Sequence, residues 1–321
     1  MEIVNGFESS SIQKAVRLLD QGDVVAFPTE TVYGLGADAQ NPYAVAKIFQ
    51  VKNRPRFDPL IVHISQKDWI FRYAKHVSSD ARKLIEVFWP GPLTLLLEKQ
   101  SLIPDIVTAG LSTVGMRMPA HGAALNLIDT LNRPIAAPSA NPFGYMSPTK
   151  AAHVARMLKG KIPLILDGGD SVFGIESTII SFQTRGVYIH RHGAVSEEDL
   201  REHVEIVESI DDGSVCRSPG ELPYHYAPMK PLKIVAGPED VKIDNSSFLS
   251  FRTPESQTRA RYMKVLSATG DLNEAAANFF SSLIDLDRED VDIIYAEKVP
   301  PTGIGRAIME RLNKASKRGI R

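Results

Sequence analysis

The chain has 321 residues, 43% of them hydrophobic, with 37 Lys and Arg against 38 Asp and Glu. That size and balance fit a globular protein of about two domains, and the near-zero net charge excludes one that coats nucleic acid over its whole surface, though not a local basic patch. The single cysteine, Cys216, excludes an internal disulfide, and the opening MEIVNGFESSSIQK has no apolar core behind a basic start, so no signal peptide is expected; no apolar run reaches the roughly 20 residues that span a bilayer, and the expected location is cytoplasmic.

In chain order, Ser10 or Ser11 caps a helix whose apolar face is Ile12, Ala15, Val16 and Leu19, closed by Gly22. Residues 24–27 read as a buried strand, and FPTETVYGLGAD (27–38) as a turn rich in hydroxyls and glycines, the wall of a pocket for a small polar molecule. Asn41-Pro42 starts a helix with Pro in its first turn and Val45, Ile48 and Phe49 inward. Residues 60–64 form a strand, 78–89 a helix stopped by Pro90-Gly91-Pro92, and 93–97 a strand. Residues 114–118 and 135–137 are strands around a helix near 123–131, and Ser147-Pro148 caps a helix to about residue 158. Strands at 164–166, 177–182 and 186–190 precede a helix begun by Ser196, whose Glu197, Glu198 and Asp199 suit its positive end. From residue 204 to 231 the pattern dissolves, and SPGELPYHYAP (218–228) fits no regular period, as a linker would. Strands at 232–236, 248–251, 263–266 and 291–296, with helices at 272–286 and 304–317, then make a second, smaller α/β unit.

Several residues carry chemistry. Lys52, Arg54 and Arg56 crowd one Pro-bounded loop with Asp58. An ammonium and guanidinium forks there suit a polyphosphate, although charge alone also fits a solvated loop. Arg117 lies in the apolar run TVGMRMP. A buried charge needs a partner, either a ligand's carboxylate or an internal one. The loop APSANPFG (137–144) supplies hydroxyl and amide groups for a nucleotide, or simply turns. Ser147 opens a helix whose free amides suit an anion, or only caps it. His63 sits among apolar neighbours, as a ligand contact or a core histidine. No cluster has metal-ligand spacing, and there is no P-loop, HExxH or GxSxG. GLGADA (34–39) fits G-x-G-x-x-A, but the acidic residue a dinucleotide needs about 20 residues on is replaced by a basic stretch.

The pieces PTETVYGLGADA, KNRPRFDPLIVHI, WPGPLTLLL, TVGMRMPAH, PIAAPSANPFG, SPT, LDGG with GIESTII, and YIHRHGA occur in that order. Over roughly residues 10–200 the set closely resembles the YrdC-like family. SPGELPYHYAP and the C-terminal unit resemble the long, two-domain threonylcarbamoyl-AMP synthases. The resemblance implies a twisted mixed sheet with flanking helices (residues 1–204), a linker or lid (205–231) and a Rossmann-like α/β domain (232–321). It implies a nucleotidyltransferase that turns L-threonine, bicarbonate and ATP into threonylcarbamoyl-AMP and pyrophosphate. The product would feed a tRNA threonylcarbamoyltransferase complex that modifies the adenosine beside the anticodon. Magnesium would come with ATP rather than in a protein site, and the chain would act as a monomer, with direct tRNA contact left open. By the same resemblance Thr31, His63, Arg117, Ala137 and Ser177 would hold threonine. Lys52 and Arg54 would stabilise the departing phosphate charge. Arg54, Asp58, Thr113, Ser139, Asn141, Ser147 and Arg191 would hold ATP, with His225 or Tyr226 closing over it. The chain departs from the family at Asp58, where Asn is usual, at His192, where Pro is usual, and at Glu221-Leu222-Pro223, where a more basic stretch is expected. A carboxylate at position 58 repels phosphate unless it is paired or holds magnesium.

Overall fold

Short apolar runs alternating with helices build one ten-stranded mixed sheet. Its strands are β1 (Glu2–Asn5), β2 (Val25–Phe27), β3 (Gly34–Asp38), β4 (Ile61–His63), β5 (Leu93–Glu98), β6 (Thr113–Arg117), β7 (Ile135–Ala137), β8 (Leu164–Asp167), β9 (Thr178–Gln183) and β10 (Gly186–Arg191), in the order β1-β8-β2-β3-β7-β4-β6-β5-β9-β10. The computed structural model describes residues 1–208 and 225–317. Residues 218–224 of the linker, Glu221-Leu222-Pro223 among them, lie outside the described residues, as does Cys216.

The central strands β2, β3, β4 and β7 are buried along their whole length. Helices cover both faces, which is why these strands read as continuous apolar runs rather than alternating ones. Register decides what meets at the strand ends. β4 and β6 run parallel with His63 opposite Arg117, while antiparallel β7 sets Ala137 opposite Ile61. A basic residue and a histidine thus arrive side by side in an otherwise apolar sheet.

Three local expectations change. The segment read as a glycine turn is partly strand: Gly34–Asp38 pairs with β2 and β7. Gly36 is there for room rather than for turning, since a Cβ would lie 2.7 Å from Ile135 and 2.8 Å from the Phe27 ring. The first helix, Ser9–Asp20, begins at Glu8 without a side-chain cap, so Ser10 and Ser11 lie inside its first turn. Ser147 caps nothing: the helix starts later, at Ala151–Met157, and the serine hydroxyl donates instead to Glu176. Asn41 does cap, its side chain accepting the amides of Tyr43 and Ala44 ahead of Pro42–Lys52.

The second sheet is wholly parallel, with β11 (Leu232–Val235), β12 (Ser246–Ser250), β13 (Tyr262–Val265) and β14 (Ile293–Glu297) in the order β11-β14-β12-β13. Its helices Leu272–Leu286 and Gly305–Ser316 pack against the first unit. Val32, Met146 and Ile175 share one apolar cluster with Tyr226, Phe280 and Leu283. Close approach at this seam needs Gly174: at φ +63° it faces the helix backbone, and a Cβ would sit 2.4 Å from the Ala277 carbonyl oxygen.

Candidate functional site

A cavity opens where the ends of β4, β6 and β7 meet the loop after β2. Thr31, His63, Arg117, Ala137 and Ser177 line it together with Arg54, Ser139, Arg191, His225 and Tyr226. The cavity volume is ≈ 60 Å³.

Arg117 is buried, and its partner is internal. Its Nη2 lies 2.6 Å from Glu30 Oε1, its Nη1 donates to Thr31 Oγ1 at 3.0 Å, and its Nε donates to the Gly91 carbonyl at 3.2 Å. The opening motif therefore supplies the carboxylate that a buried arginine requires, and the guanidinium still faces the cavity. His63 stands edge-on to Phe27, with ring centres 5.9 Å apart. Burial, then the Arg117 charge, push its pKa down to about 3, so the ring is neutral near pH 7. Ser177 Oγ is 2.8 Å from Thr94 Oγ1 and accepts Arg191 Nη2 at 3.1 Å, while the Ser177 carbonyl also accepts from Arg191.

The basic loop folds inward. Helix Pro42–Lys52 ends on Asn53 in the left-handed conformation, which swings Lys52 and Arg54 toward the interior. Arg54 Nη2 pairs with Asp58 Oδ1 at 2.9 Å, and its Nε and Nη2 donate to the carbonyls of Asp58 and Pro59. Asp58 thus neutralises an arginine rather than facing phosphate bare. Lys52 does not line the cavity. Its ammonium donates to the Ser139 carbonyl at 2.5 Å and to the Asn141 carbonyl, beneath the 137–144 loop. Burial and the Arg54 charge hold it well below the usual lysine range. Asn141 and Ser147 are buried outside the wall: the Asn141 amide ties the loop to the carbonyls of Pro142 and Tyr145. Thr113 lies at the far end of β6 from Arg117, roughly 13 Å along the strand. Of the loop's three cations, Lys52 and Arg54 are buried and only Arg56 is exposed.

The roof comes from the end of the linker. His225 packs edge-on against Phe143 at 5.8 Å and against Tyr226 at 4.1 Å. Tyr226 has φ +63°, a costly conformation for a bulky residue, of a kind that clusters at functional sites. Burial and Glu176 push its hydroxyl up to about 12.

Sequence reasoning missed three groups here: Glu30, Glu176 and Arg311. Glu30 was signalled by its counterpart, an arginine in an apolar strand. Arg311 was signalled by periodicity, since it sits on the buried face of its helix with Ala307, Ile308 and Leu312. Glu176 gave no signal. Among the described residues no group of three or more His, Cys, Asp or Glu stands where it could hold a metal, and no helix is long and apolar enough to cross a membrane.

Comparison with known proteins adds to this geometry. Residues 17–193 match the Sua5/YciO/YrdC family model, described as "Telomere recombination", and residues 195–317 match the model described as "Threonylcarbamoyl-AMP synthase, C-terminal domain". The chain is 40% identical to the threonylcarbamoyl-AMP synthase of Pyrococcus abyssi over 96% of its own length and 95% of that protein's. It is 42% identical to that of Bacillus subtilis over 95% and 92%. The crystal structure of P. abyssi Sua5 complexed with L-threonine superposes with a TM-score of 0.89 at 38% identity, covering 99% of this chain and 98% of that one. The chain therefore belongs to the Sua5/YciO/YrdC family, in the two-domain form that carries the threonylcarbamoyl-AMP synthase C-terminal domain.

Proposed function

We propose that the protein is a threonylcarbamoyl-AMP synthase, a nucleotidyltransferase that joins L-threonine, bicarbonate and ATP into L-threonylcarbamoyladenylate with release of pyrophosphate. The observation that carries this reading is the convergence of Thr31, His63, Arg117, Ala137 and Ser177 with Arg54, Ser139, Arg191, His225 and Tyr226 on a single cavity, in a chain that parallels a relative solved with L-threonine over nearly its whole length.

The threonine carboxylate docks on Arg117, which Glu30 and Thr31 already hold in place. Neutral His63 offers a hydrogen bond and no charge. The amino nitrogen bonds to the carbon of bicarbonate-derived carbon dioxide and loses a proton, giving a carbamate. A carbamate oxygen attacks the α-phosphorus, and the bond to the bridging oxygen breaks as pyrophosphate leaves. Arg54 and Arg191, with Lys52 behind the loop, stabilise the departing charge; such preorganised stabilisation commonly dominates phosphoryl chemistry. No covalent nucleophile is required, only positioning. His225 and Tyr226 withdraw to admit the nucleotide and return to keep water from a hydrolysable product.

The described residues do not fit a protein-held magnesium ion. Glu30, Asp58 and Glu176, the carboxylates nearest the cavity, are paired with Arg117, Arg54 and Arg311. Magnesium belongs with the ATP phosphates, and no step runs through it. The product is handed to a tRNA threonylcarbamoyltransferase complex that modifies the adenosine next to the anticodon, by a monomeric enzyme of the cytoplasm. Purified protein should release pyrophosphate from ATP only when threonine and bicarbonate are both present. No release with all three would overturn the reading.

A further inference from the structure

We propose that Arg311, supplied by the second domain, is a positioning residue for the nucleotide half of the cavity in the first. The inference rests on the synthase reading above.

Arg311 is fully buried, on a helix face that is otherwise apolar. It makes three contacts across the seam. Its Nε lies 3.1 Å from Glu176 Oε2, its Nη1 donates to the His192 carbonyl at 2.5 Å, and its guanidinium carbon lies over the Tyr226 ring, 5.2 Å from the centroid. Two contacts lead to the nucleotide side, through Arg191 and Tyr226, and the third reaches Glu176, which itself lines the cavity. The other Glu176 oxygen accepts the Ser147 hydroxyl at 2.5 Å. His192 follows Arg191, and its amide donates to Glu310 Oε2 at 3.2 Å, so adjacent residues of one second-domain helix hold both backbone polar groups of His192. Tyr226 is the roof. Arg311 makes none of its hydrogen bonds or ion pairs to Thr31, His63, Arg117 or Ala137.

Stability alone does not account for such a residue. A buried ion pair is often no better for stability than well-packed apolar side chains of the same volume. An arginine among Ala307, Ile308 and Leu312 is explained by what it fixes: the Glu176 carboxylate, the His192 peptide and the Tyr226 ring, held together by one planar fork with several donors.

The test uses the full chain with Arg311→Met, Arg311→Lys, Glu176→Gln and the Arg311→Met/Glu176→Gln double variant. ATP and threonine binding are measured by calorimetry, and pyrophosphate release gives KM and kcat. Arg311→Met should raise both the Kd and the KM for ATP at least about tenfold while threonine affinity stays within about twofold. Arg311→Lys, keeping the charge without the fork, should fall between it and the parent. The double variant should be no worse than the poorer single one, because both act through one pair. ATP and threonine affinities that decline together, in step with a lowered melting temperature, would show a merely structural residue and overturn the proposal. So would single-variant effects that multiply in the double. If the parent chain binds ATP yet releases no pyrophosphate, the synthase reading fails, and the ATP-binding arm still decides the role of Arg311.

Discussion

The two halves of the cavity are built by opposite means. The proposed threonine half is made by neighbours in one sheet: β4, β6 and β7 lie side by side, and register alone sets His63 beside Arg117. The proposed nucleotide half is assembled from parts distant in the chain. It joins the basic loop after Lys52, the end of β10 at Arg191, the roof at His225 and Tyr226, and Arg311 from the second domain. The first half is as firm as the central sheet; the second is as firm as the docking of one domain on another. In the proposed synthase the amino-acid site would stay formed while the nucleotide site opens and closes.

The largest test of that contrast is Arg117→Ala. It leaves Glu30 buried without its cation, and breaking such a pair costs about 3–5 kcal/mol. Denaturant unfolding should show that loss, and calorimetry should show threonine binding abolished with ATP binding far less affected. Equal loss of both ligands would mean that the two halves are one unit. Acid comes next. His63 and His153 are buried and neutral, with pKa values pushed down to about 3 and about 4 by burial, then by Arg117 and by Arg156 respectively. In the unfolded chain each titrates near 6.5. Between pH 6.5 and about 4 the unfolded state therefore binds protons that the folded state refuses, so stability falls as pH falls, by about 1.4 kcal/mol per histidine per pH unit. His63→Gln should flatten the slope of unfolding free energy against pH from the sheet side, and His153→Gln from the seam side. An unchanged slope in both would refute the assignment.

Gly174→Ala should cost about 1–3 kcal/mol, through a Cβ driven at the Ala277 carbonyl from a left-handed backbone. If the seam governs only the nucleotide half, the KM for ATP rises and threonine affinity holds; a fall in threonine affinity alone would invert the contrast. The smallest effect is expected at Ser196, which shares a capping box with Asp199 and does not line the cavity. Ser196→Ala should lower stability by about 1 kcal/mol and leave both ligands' affinities alone, giving a measure of how much plain destabilisation shifts either.

The sequence carried the sheet half well. Apolar runs at 60–64 and 135–137 lie on β4 and β7, and Asn41-Pro42 announced its helix. It carried the nucleotide half poorly, for physical reasons. The hydroxyl of Ser147 looks like a cap because local spacing cannot reveal Glu176, its true acceptor, in a loop that only tertiary folding brings near. For Lys52 and Arg54 charge alone left a solvated loop as open as a phosphate site, because burial depends on Asn53 turning the helix end inward, and αL geometry at an asparagine leaves little trace in composition. Gly36 read as a turn because the Phe27 ring that demands its bareness lies on a neighbouring strand.

Strand order also governs how the molecule comes into being. Val25 of β2 pairs with Leu164 and Leu93 of β5 with Thr178, so several pairings of the first sheet wait on late-arriving segments. The second sheet closes wholly within residues 232–297. Because loop closure must precede distant pairing, high contact order slows folding. The larger, first module is the expected slow folder, its early strands open until β8 and β9 pair with them. The smaller domain, quick to form, waits with Arg311 already in place on its helix for a partner whose last strands have only just paired.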